Sequence, residues 1–204
     1  MKRLLLLCAC ALLAPLVTVA ANAAEPLTLE RLRAAGAGLT TLRVPFTQEK
    51  HLAILDEPVV TQGVLEISRP LQAVRWEFTG RSVLLFAHDH VRRFGAEGKE
   101  EAGGRDPGLQ SMAGQMRALL SGDWTPMKEL FDIAADADGT PRLVLTPRTP
   151  DLARYLSRLE IRFRADLSAP ESILLVANGD DRTEYRFAPP QAGAAIPPAR
   201  FEQP

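Results

Sequence analysis

Residues 63–78 of the chain read GVLEISRPLQAVRWEF, and this stretch determines how the rest of the sequence is interpreted. Apolar and polar side chains alternate along it in two runs, which are separated by Arg69 and Pro70. The apolar positions are Leu65 and Ile67 in the first run and Val74, Trp76 and Phe78 in the second. Because successive side chains of a strand point to opposite faces, the pattern predicts two antiparallel strands with one apolar face each.

The same period of two returns late in the chain. Two further runs have one face formed by Leu159, Ile161 and Phe163 and by Thr183, Tyr185 and Phe187. Asn178-Gly179 and Asp138-Gly139 each join two strand-like runs, and both dipeptides favour the positive φ angles of tight hairpin turns. We therefore expect a meandering antiparallel sheet whose strands come from both halves of the chain.

Short helical segments are predicted beside this sheet. Thr28 can cap a brief helix that Gly36 and Gly38 interrupt, and Thr125-Pro126 begins another short turn. A longer helix is predicted after Asp106-Pro107, with an apolar stripe of Leu109, Met112, Met116, Leu119 and Leu120. The tail after Pro189 is expected to be extended. The predicted fold class is α+β, mostly β.

The first 23 residues have the pattern of a secretory signal peptide. A cationic start precedes an apolar run of about 16 residues, which is shorter than the roughly 20 residues that span a bilayer. Ala21 and Ala23 supply the small side chains that a signal peptidase needs, so we place the cut after Ala23 and expect the mature protein to be exported. Residues 24–204 are then expected to form a single domain.

Both cysteines, Cys8 and Cys10, lie inside this signal, so the mature chain is expected to have no disulfide. Leu7-Cys8-Ala9-Cys10 also resembles a lipoprotein-processing site, which is the alternative way to process this segment. Cleavage there would leave too short an apolar region before the cut.

Charge and motifs exclude several classes of function. Removal of the signal lowers the number of basic residues from 24 to 22 against 25 acidic ones, which leaves a net charge of −3 and does not favour binding to nucleic acid. The chain has no nucleophile elbow, HExxH helix or phosphate-binding loop, so we do not expect an enzyme. His88 and His90 could begin a metal site, but no ligand spacing continues it, and no metal is expected.

Arg69 is unusual because strand alternation places it on the same face as Leu65 and Ile67. A guanidinium in an apolar setting is costly unless it meets acceptors, and the carbonyl groups of a covering helix or loop would suit it. The alternative is an ordinary surface arginine at the end of a strand.

Three motifs follow one another along the chain: Phe46-Thr47-Gln48, then Gly63 to Pro70, then Arg75-Trp76-Glu77-Phe78. In these motifs and their order the sequence resembles the LolA family of periplasmic lipoprotein carriers. The resemblance implies a strongly curved, open antiparallel half-barrel covered by short helices, in which the Arg69 side chain holds the lid closed. It also implies a cavity for acyl chains. The candidate lipid-binding residues are Phe46, Leu65, Ile67, Val74, Trp76, Phe78, Met112 and Met116. A packed core would have the same apolar pattern, and the methionines would fill such a core equally well.

The resemblance implies a carrier that shields the acyl chains of lipoproteins or related lipids between the inner and the outer membrane. Its partners would be acylated cargo, an inner-membrane lipid exporter and an outer-membrane acceptor. No cofactor is implied, and a monomer is expected. Residues 88–93 depart from the family pattern, so a specialised carrier of a glycolipid or pigment-lipid precursor is an alternative, as is a lipid-sensing envelope regulator.

Overall fold

A computed structural model describes residues 27–87, 90–101, 124–136, 140–179 and 181–204. Within these ranges the chain forms one antiparallel sheet of twelve strands, accompanied by short helices. The strands are β1 (Thr41–His51), β2 (Val59–Ser68), β3 (Ala73–Phe78), β4 (Ser82–Ala87), β5 (His90–Gly95), β6 (Glu100–Glu101), β7 (Phe131–Ala135), β8 (Arg142–Pro147), β9 (Arg158–Phe163), β10 (Pro170–Val176), β11 (Arg182–Phe187) and β12 (Gln191–Ala192). The helices are α1 (Leu29–Gly36), α2 (Thr125–Leu130), α3 (Pro150–Ala153) and the 3₁₀ helix η1 (Pro198–Phe201).

The strands follow the order β6-β5-β4-β3-β2-β1-β11-β10-β9-β8-β7, and β12 pairs with β1. The sheet is curved and stays open, because β6 and β7 form its two ends and are not paired with each other in the described part of the chain. β1 joins the two halves, since it pairs with β2 on one side and with β11 on the other. The predicted fold class, a mostly β, curved antiparallel sheet with short helices, is confirmed.

Local sequence explains the central strands. Pro70 stands second in the turn between β2 and β3, where the amide of Gln72 donates to the carbonyl oxygen of Arg69 over 3.0 Å. Pro45 has no amide hydrogen to donate, and it lies where β1 changes its neighbour from β12 to β11. A proline is tolerated there because the ladder on that side is already interrupted.

The predicted helix starts and turns are confirmed in part. The Thr28 hydroxyl accepts from the amide of Arg31 over 3.2 Å and caps α1, which ends at Gly36 as expected. Gly179 has a φ of 90° between β10 and β11. The helix predicted after Asp106 and the turn at Asp138-Gly139 lie outside the described residues. The tail after Pro189 includes the short strand β12, but it is not wholly extended, because Pro198–Phe201 form η1.

Apart from a small cluster of Val83, Leu85 and Phe94, cross-strand register places most apolar side chains of the long strands on one face, which we call the inner face and define by Val44, Leu65, Trp76, Ile161 and Ile173. Two apolar clusters cover it. The first cluster lies on β1–β5 and β11, and the second lies on β7–β9 beneath α1 and α2. Ile173 and Leu175 of β10 pack against both clusters and connect them.

The opposite, outer face carries the chain's C-terminal tail. η1 lies against β3 and β4 and buries Phe201 to 6% exposure. The guanidinium of Arg75 donates to the carbonyl oxygens of Arg200 and Gln203 over 3.2 and 2.7 Å. Arg92 donates to the carbonyl oxygen of Glu202 over 2.9 Å. The tail is thus held against the sheet by side chains of β3 and β5.

Candidate functional site

An apolar cleft opens on the inner face where β1, β2 and β3 meet β10 and β11. Its walls are mostly aliphatic and aromatic side chains: Leu42, Val44, Leu65, Ile67, Trp76, Ala169, Pro170, Ile173 and Phe187. Residues 39–41, which connect α1 to β1, form one rim of the cleft, and Ser168 forms part of the rim opposite. Such a surface favours a ligand with hydrocarbon chains, because apolar area removed from water on both partners stabilises the complex.

Arg69 crosses this rim and connects the sheet to α1. Its side chain lines the cleft, and its Nη1 donates a short hydrogen bond to the carbonyl oxygen of Gly36, the last residue of α1. The backbone amide of Arg69 also donates to the carbonyl oxygen of Thr40 over 2.9 Å. Carbonyl groups at the C-terminal end of a helix lack helical partners and attract a cation. The guanidinium therefore ties the end of β2 to the end of α1 across the cleft.

The cleft is nearly closed in this state. Its volume is about 70 Å³, whereas pockets that hold a ligand of ordinary size measure about 300–1,000 Å³. An acyl chain would need the rim to move. Arg69 is the charged side chain of the cleft lining, and it is hydrogen-bonded to the end of α1 at that rim.

Five aromatic rings form a layer at the base of the cleft. Phe46 lies at its centre, with ring centroids 6.0 Å from Trp76, 5.4 Å from Phe78, 5.9 Å from Tyr185 and 6.1 Å from Phe187. The Phe46 ring fits there because its cross-strand partner is Gly63, where an added Cβ would overlap with Cζ of the ring. Glycine at this position leaves room for the ring, which explains its place in the sequence pattern.

Two polar atoms lie in the aromatic layer and differ in their partners. The Tyr185 hydroxyl accepts a 2.6 Å hydrogen bond from Nε2 of Gln48. Burial raises the pKa of Tyr185 despite that bond, so the phenol stays neutral at physiological pH. The indole Nε1 of Trp76 is buried and has no acceptor among the described residues. The layer therefore contains one buried donor without a partner in the described part of the chain.

The structure divides the predicted lipid-binding residues into two sets. Leu65, Ile67 and Trp76 line the cleft. Phe46, Val74 and Phe78 pack in the same apolar cluster but do not line the cleft. Met112 and Met116 lie outside the described residues. Whether any of these side chains contacts a lipid, and whether Arg69 closes a lid, stay predictions.

Sequence reasoning missed several residues of the cleft walls. Leu42 and Val44 continue the alternation that ends at Phe46, and Phe187 belongs to a recognised strand pattern, so the period of two could have identified all three. Ala169 and Pro170 carry no comparable signal. They reach the cleft because β11 pairs with both β10 and β1 and brings the start of β10 near β1.

A charged cluster on the outer face was also missed. Glu66 is completely buried, and its carboxylate lies 2.6 Å from Arg43 Nη1 and 3.0 Å from Arg200 Nη2. Arg75, 2% exposed, lies beside it and pairs with Glu77 over 2.9 Å. Burial favours neutral Glu77, but hydrogen bonds from Arg75 and Arg200 outweigh it and hold the pKa of Glu77 below its ordinary value of 4.5. This cluster fastens the tail and lies on the face opposite the cleft.

The described residues offer no other obvious chemistry. They include no group of three or more histidine, cysteine, aspartate or glutamate side chains arranged to hold a metal ion. Among the helices of the described part, none combines the length and apolar character required to cross a bilayer.

Comparison with known proteins agrees with this geometry. The family model of the outer membrane lipoprotein carrier protein LolA matches residues 37–204, a range that contains the cleft, Arg69 and the tail. A search of curated proteins finds no match.

Solved structures with a similar fold have little sequence identity to the chain. An uncharacterized conserved protein from Thermus thermophilus aligns with a TM-score of 0.51 at 7% identity, covering 86% of this chain and 90% of that one. A putative outer membrane lipoprotein-sorting protein domain from Vibrio parahaemolyticus aligns with a TM-score of 0.47 at 10% identity, covering 88% of this chain and 97% of that one. A chain of the Pseudomonas aeruginosa MucA/MucB complex aligns with a TM-score of 0.39 at 17% identity, covering 85% of this chain and 58% of that one. The first of these likenesses supports the fold, and we draw no function from the set.

Proposed function

The chain belongs to the LolA family of outer membrane lipoprotein carrier proteins, and we propose that it is a periplasmic carrier that shields the acyl chains of lipid-modified cargo between the inner and the outer membrane. The observation that carries this proposal is the apolar cleft of the inner face, nearly closed and spanned at its rim by the hydrogen bond from Arg69 to Gly36.

The cleft is proposed to alternate between a closed, empty state and an open, loaded state. In the closed state Arg69 holds the end of α1, and residues 39–41 lie over the apolar wall. Cargo binds the open state, so its affinity depends on the difference in free energy between the two states. The lid-closing role of Arg69 follows from this cycle.

The magnitudes make such a cycle feasible. A hydrogen bond from a charged donor contributes about 1.5–3 kcal/mol, and each buried methylene contributes about 0.8 kcal/mol. Burial of roughly two to four methylenes therefore offsets the loss of the Arg69 bond. A complete acyl chain has several times that number, so loading is favourable, while an empty cleft returns to the closed state.

The proposed partners are an inner-membrane exporter that delivers the cargo and an outer-membrane acceptor that receives it. The cargo is proposed to be an acylated lipoprotein, in keeping with the family description. The proposed location is the periplasm, reached through the signal peptide predicted in residues 1–23. The protein is proposed to act as a monomer without a cofactor.

Photolabelling of the purified mature protein tests the proposed binding site. A synthetic triacylated lipopeptide with a diazirine in one acyl chain is bound, irradiated, and the labelled residues are mapped by mass spectrometry. We expect label on inner-face residues of β1, β2 and β3, chiefly Leu65, Ile67 and Trp76. The same peptide without acyl chains, carrying the diazirine on its side chain, is the control and should give no saturable label.

Three outcomes separate the candidates. Saturable labelling of the cleft by the lipopeptide supports the lipoprotein carrier. Stronger labelling by an acylated glycolipid probe of equal chain length supports the specialised carrier. Label spread over outer-face positions such as Val60, which is 52% exposed, or no saturable label with either probe, would refute acyl-chain binding in the cleft.

A further inference from the structure

The unused indole N–H of Trp76 is the starting observation. Trp76 is 5% exposed and lines the cleft, yet its Nε1 has no hydrogen-bond acceptor among the described residues. Buried tryptophan N–H groups usually have a partner, because an unsatisfied buried donor loses its hydration without compensation. The closed state therefore retains an unfavourable feature in the wall that cargo would touch.

The neighbouring side chains do not supply the missing acceptor. Trp76 packs against the rings of Phe46 and Phe78, with centroids 6.0 and 5.9 Å away, which offer no lone pair. The Tyr185 ring is 5.3 Å away, but its hydroxyl is hydrogen-bonded to Nε2 of Gln48 and makes no hydrogen bond with Nε1 of Trp76. An incoming ligand is the remaining source of an acceptor in the described part of the cleft.

The chemistry of the surroundings determines which acceptor would fit. The cleft walls are predominantly hydrocarbon, so a carboxylate or phosphate placed beside Trp76 would lose its hydration without gaining a counter-ion. The nearest cation of the lining, Arg69, is engaged at the rim. A neutral carbonyl oxygen suits a single N–H donor in this setting, and acyl chains joined through an ester or an amide carry such an oxygen at one end.

We infer that Trp76 is a specificity residue, whose Nε1–H donates to the ester or amide carbonyl oxygen of the acyl group, so that the cleft selects carbonyl-linked chains over ether-linked chains of equal length. This inference rests on the proposed carrier function and deepens it by naming the chemical class of the cargo. Burial of the hydrocarbon chain contributes equally to the affinity for ester-linked and ether-linked chains, and the hydrogen bond distinguishes between them.

A matched pair of ligands isolates this hydrogen bond. 1-Palmitoylglycerol and 1-O-hexadecylglycerol have the same chain length and head group and differ in one carbonyl oxygen. Each is titrated against a fluorescent acyl probe bound to the mature protein, and the two dissociation constants give an ester-to-ether preference. We expect the wild-type protein to prefer the ester about tenfold, because one hydrogen bond to an otherwise unsatisfied buried donor has about that effect.

Variants then assign the preference to Trp76. Trp76→Phe should bind both ligands with similar affinity, and benzothienylalanine incorporated at position 76, which keeps the ring size but lacks the N–H, should do the same. Trp124→Phe is the matched control, because Trp124 packs on Phe163 in the second apolar cluster and should leave the tenfold preference unchanged.

The possible results separate this inference from the proposed function. If the wild-type protein binds both ligands equally, or if the benzothienylalanine variant keeps the preference, the role of Trp76 is wrong while the carrier function stands. If the wild-type protein binds neither ligand and does not bind the acyl probe, the carrier function itself fails. The benzothienylalanine variant also covers the case in which Trp76→Phe does not fold.

Discussion

Replacement of Arg69 by leucine is expected to shift the equilibrium between the closed and the open cleft. In the described structure the Arg69 guanidinium donates to the carbonyl oxygen of Gly36 at the C-terminal end of α1. Leucine keeps the aliphatic part of the side chain and removes both the donor and the charge. The sheet and the two apolar clusters do not depend on this contact, so the variant should fold.

The size of the shift can be worked from the two interactions that are lost. A hydrogen bond from a charged donor contributes about 1.5–3 kcal/mol, and a cation at a helix C-terminus contributes about 0.3–1 kcal/mol. Arg69 is partly exposed, and solvent screening reduces both contributions, so we expect about 2 kcal/mol in total. That corresponds to a change of about 30-fold in the ratio of closed to open protein.

Two measurements follow the shift. If the open state is the minor one, the affinity of Arg69→Leu for a fluorescent acyl probe should rise by up to about 30-fold, since the apparent affinity is scaled by the fraction of competent protein. Transfer of the probe from the protein to lipid vesicles, followed by stopped-flow fluorescence, should slow accordingly. Arg81→Leu, which changes an exposed arginine in the turn between β3 and β4, is the control and should alter neither value.

Gly36→Ala perturbs the same contact from the helix side. A Cβ at position 36 would lie 3.0 Å from Nη2 of Arg69 and would displace the guanidinium slightly, so a weaker effect in the same direction is expected. Combined with Arg69→Leu it should add nothing, because both changes remove one interaction. Equal affinity and equal transfer rate in Arg69→Leu and the wild-type protein would refute the lid-closing role.

Three further predictions concern the sheet that supports the cleft. Gly63→Ala would put a Cβ in overlap with the carbonyl oxygen of Glu77 and with the Phe46 ring, so it should lower the free energy of unfolding, measured by urea titration, by about 3 kcal/mol or more. Gly38→Ala is the control and should change that free energy little, because an added Cβ there would have no atom within 4 Å. Glu66→Ala should lower the free energy of unfolding by about 3 kcal/mol, because Arg75 would stay buried with one carboxylate fewer beside it. An unchanged urea midpoint would contradict this. The pKa of Glu77 is lowered in the folded protein, so its carboxylate contributes fully to the free energy of unfolding above pH 4.5, and this contribution is lost as the pH falls through the folded pKa. The difference in the free energy of unfolding between the wild-type protein and Glu77→Gln should therefore shrink from pH 7 to about pH 3.

The inner face of the sheet could be predicted from the sequence because a period of two is a local property. Leu65, Ile67, Val74 and Trp76 lie on one face as the alternation predicts, and the register of β2 with β3 pairs Leu65 with Trp76 directly. Thr28 and Gly36 bound α1 for equally local reasons, a side chain that caps an amide and a residue that weakens a helix. Signals of this kind need no knowledge of distant segments.

Depth within the face could not be predicted, because alternation identifies a face without saying what lies above it. Val74 and Trp76 have the same pattern, yet Val74 is fully buried away from the cleft and Trp76 lines it. On the outer face, the burial of a polar side chain could not be predicted either. Alternation places Glu66 on the outer face, where it lies, but does not show that Arg200, 134 residues away in sequence, covers it. Burial that depends on a segment returning from far along the chain has no local signal.

The distribution of stabilising contacts is consistent with a cleft that opens at its rim while the sheet stays intact. Phe131 and Leu145 are at most 1% exposed and hold the second cluster together, and the tail secures the outer face of β3 and β4. The rim between Gly36 and β1, by contrast, is joined to Arg69 by one side-chain bond and one backbone bond. In the proposed cycle the rim opens by a movement of residues 37–40, which would uncover the apolar wall of the cleft. The same movement would bring Trp76, whose Nε1 has no acceptor among the described residues, into contact with the ligand, so the proposed lid contact and this unsatisfied donor belong to the same cleft.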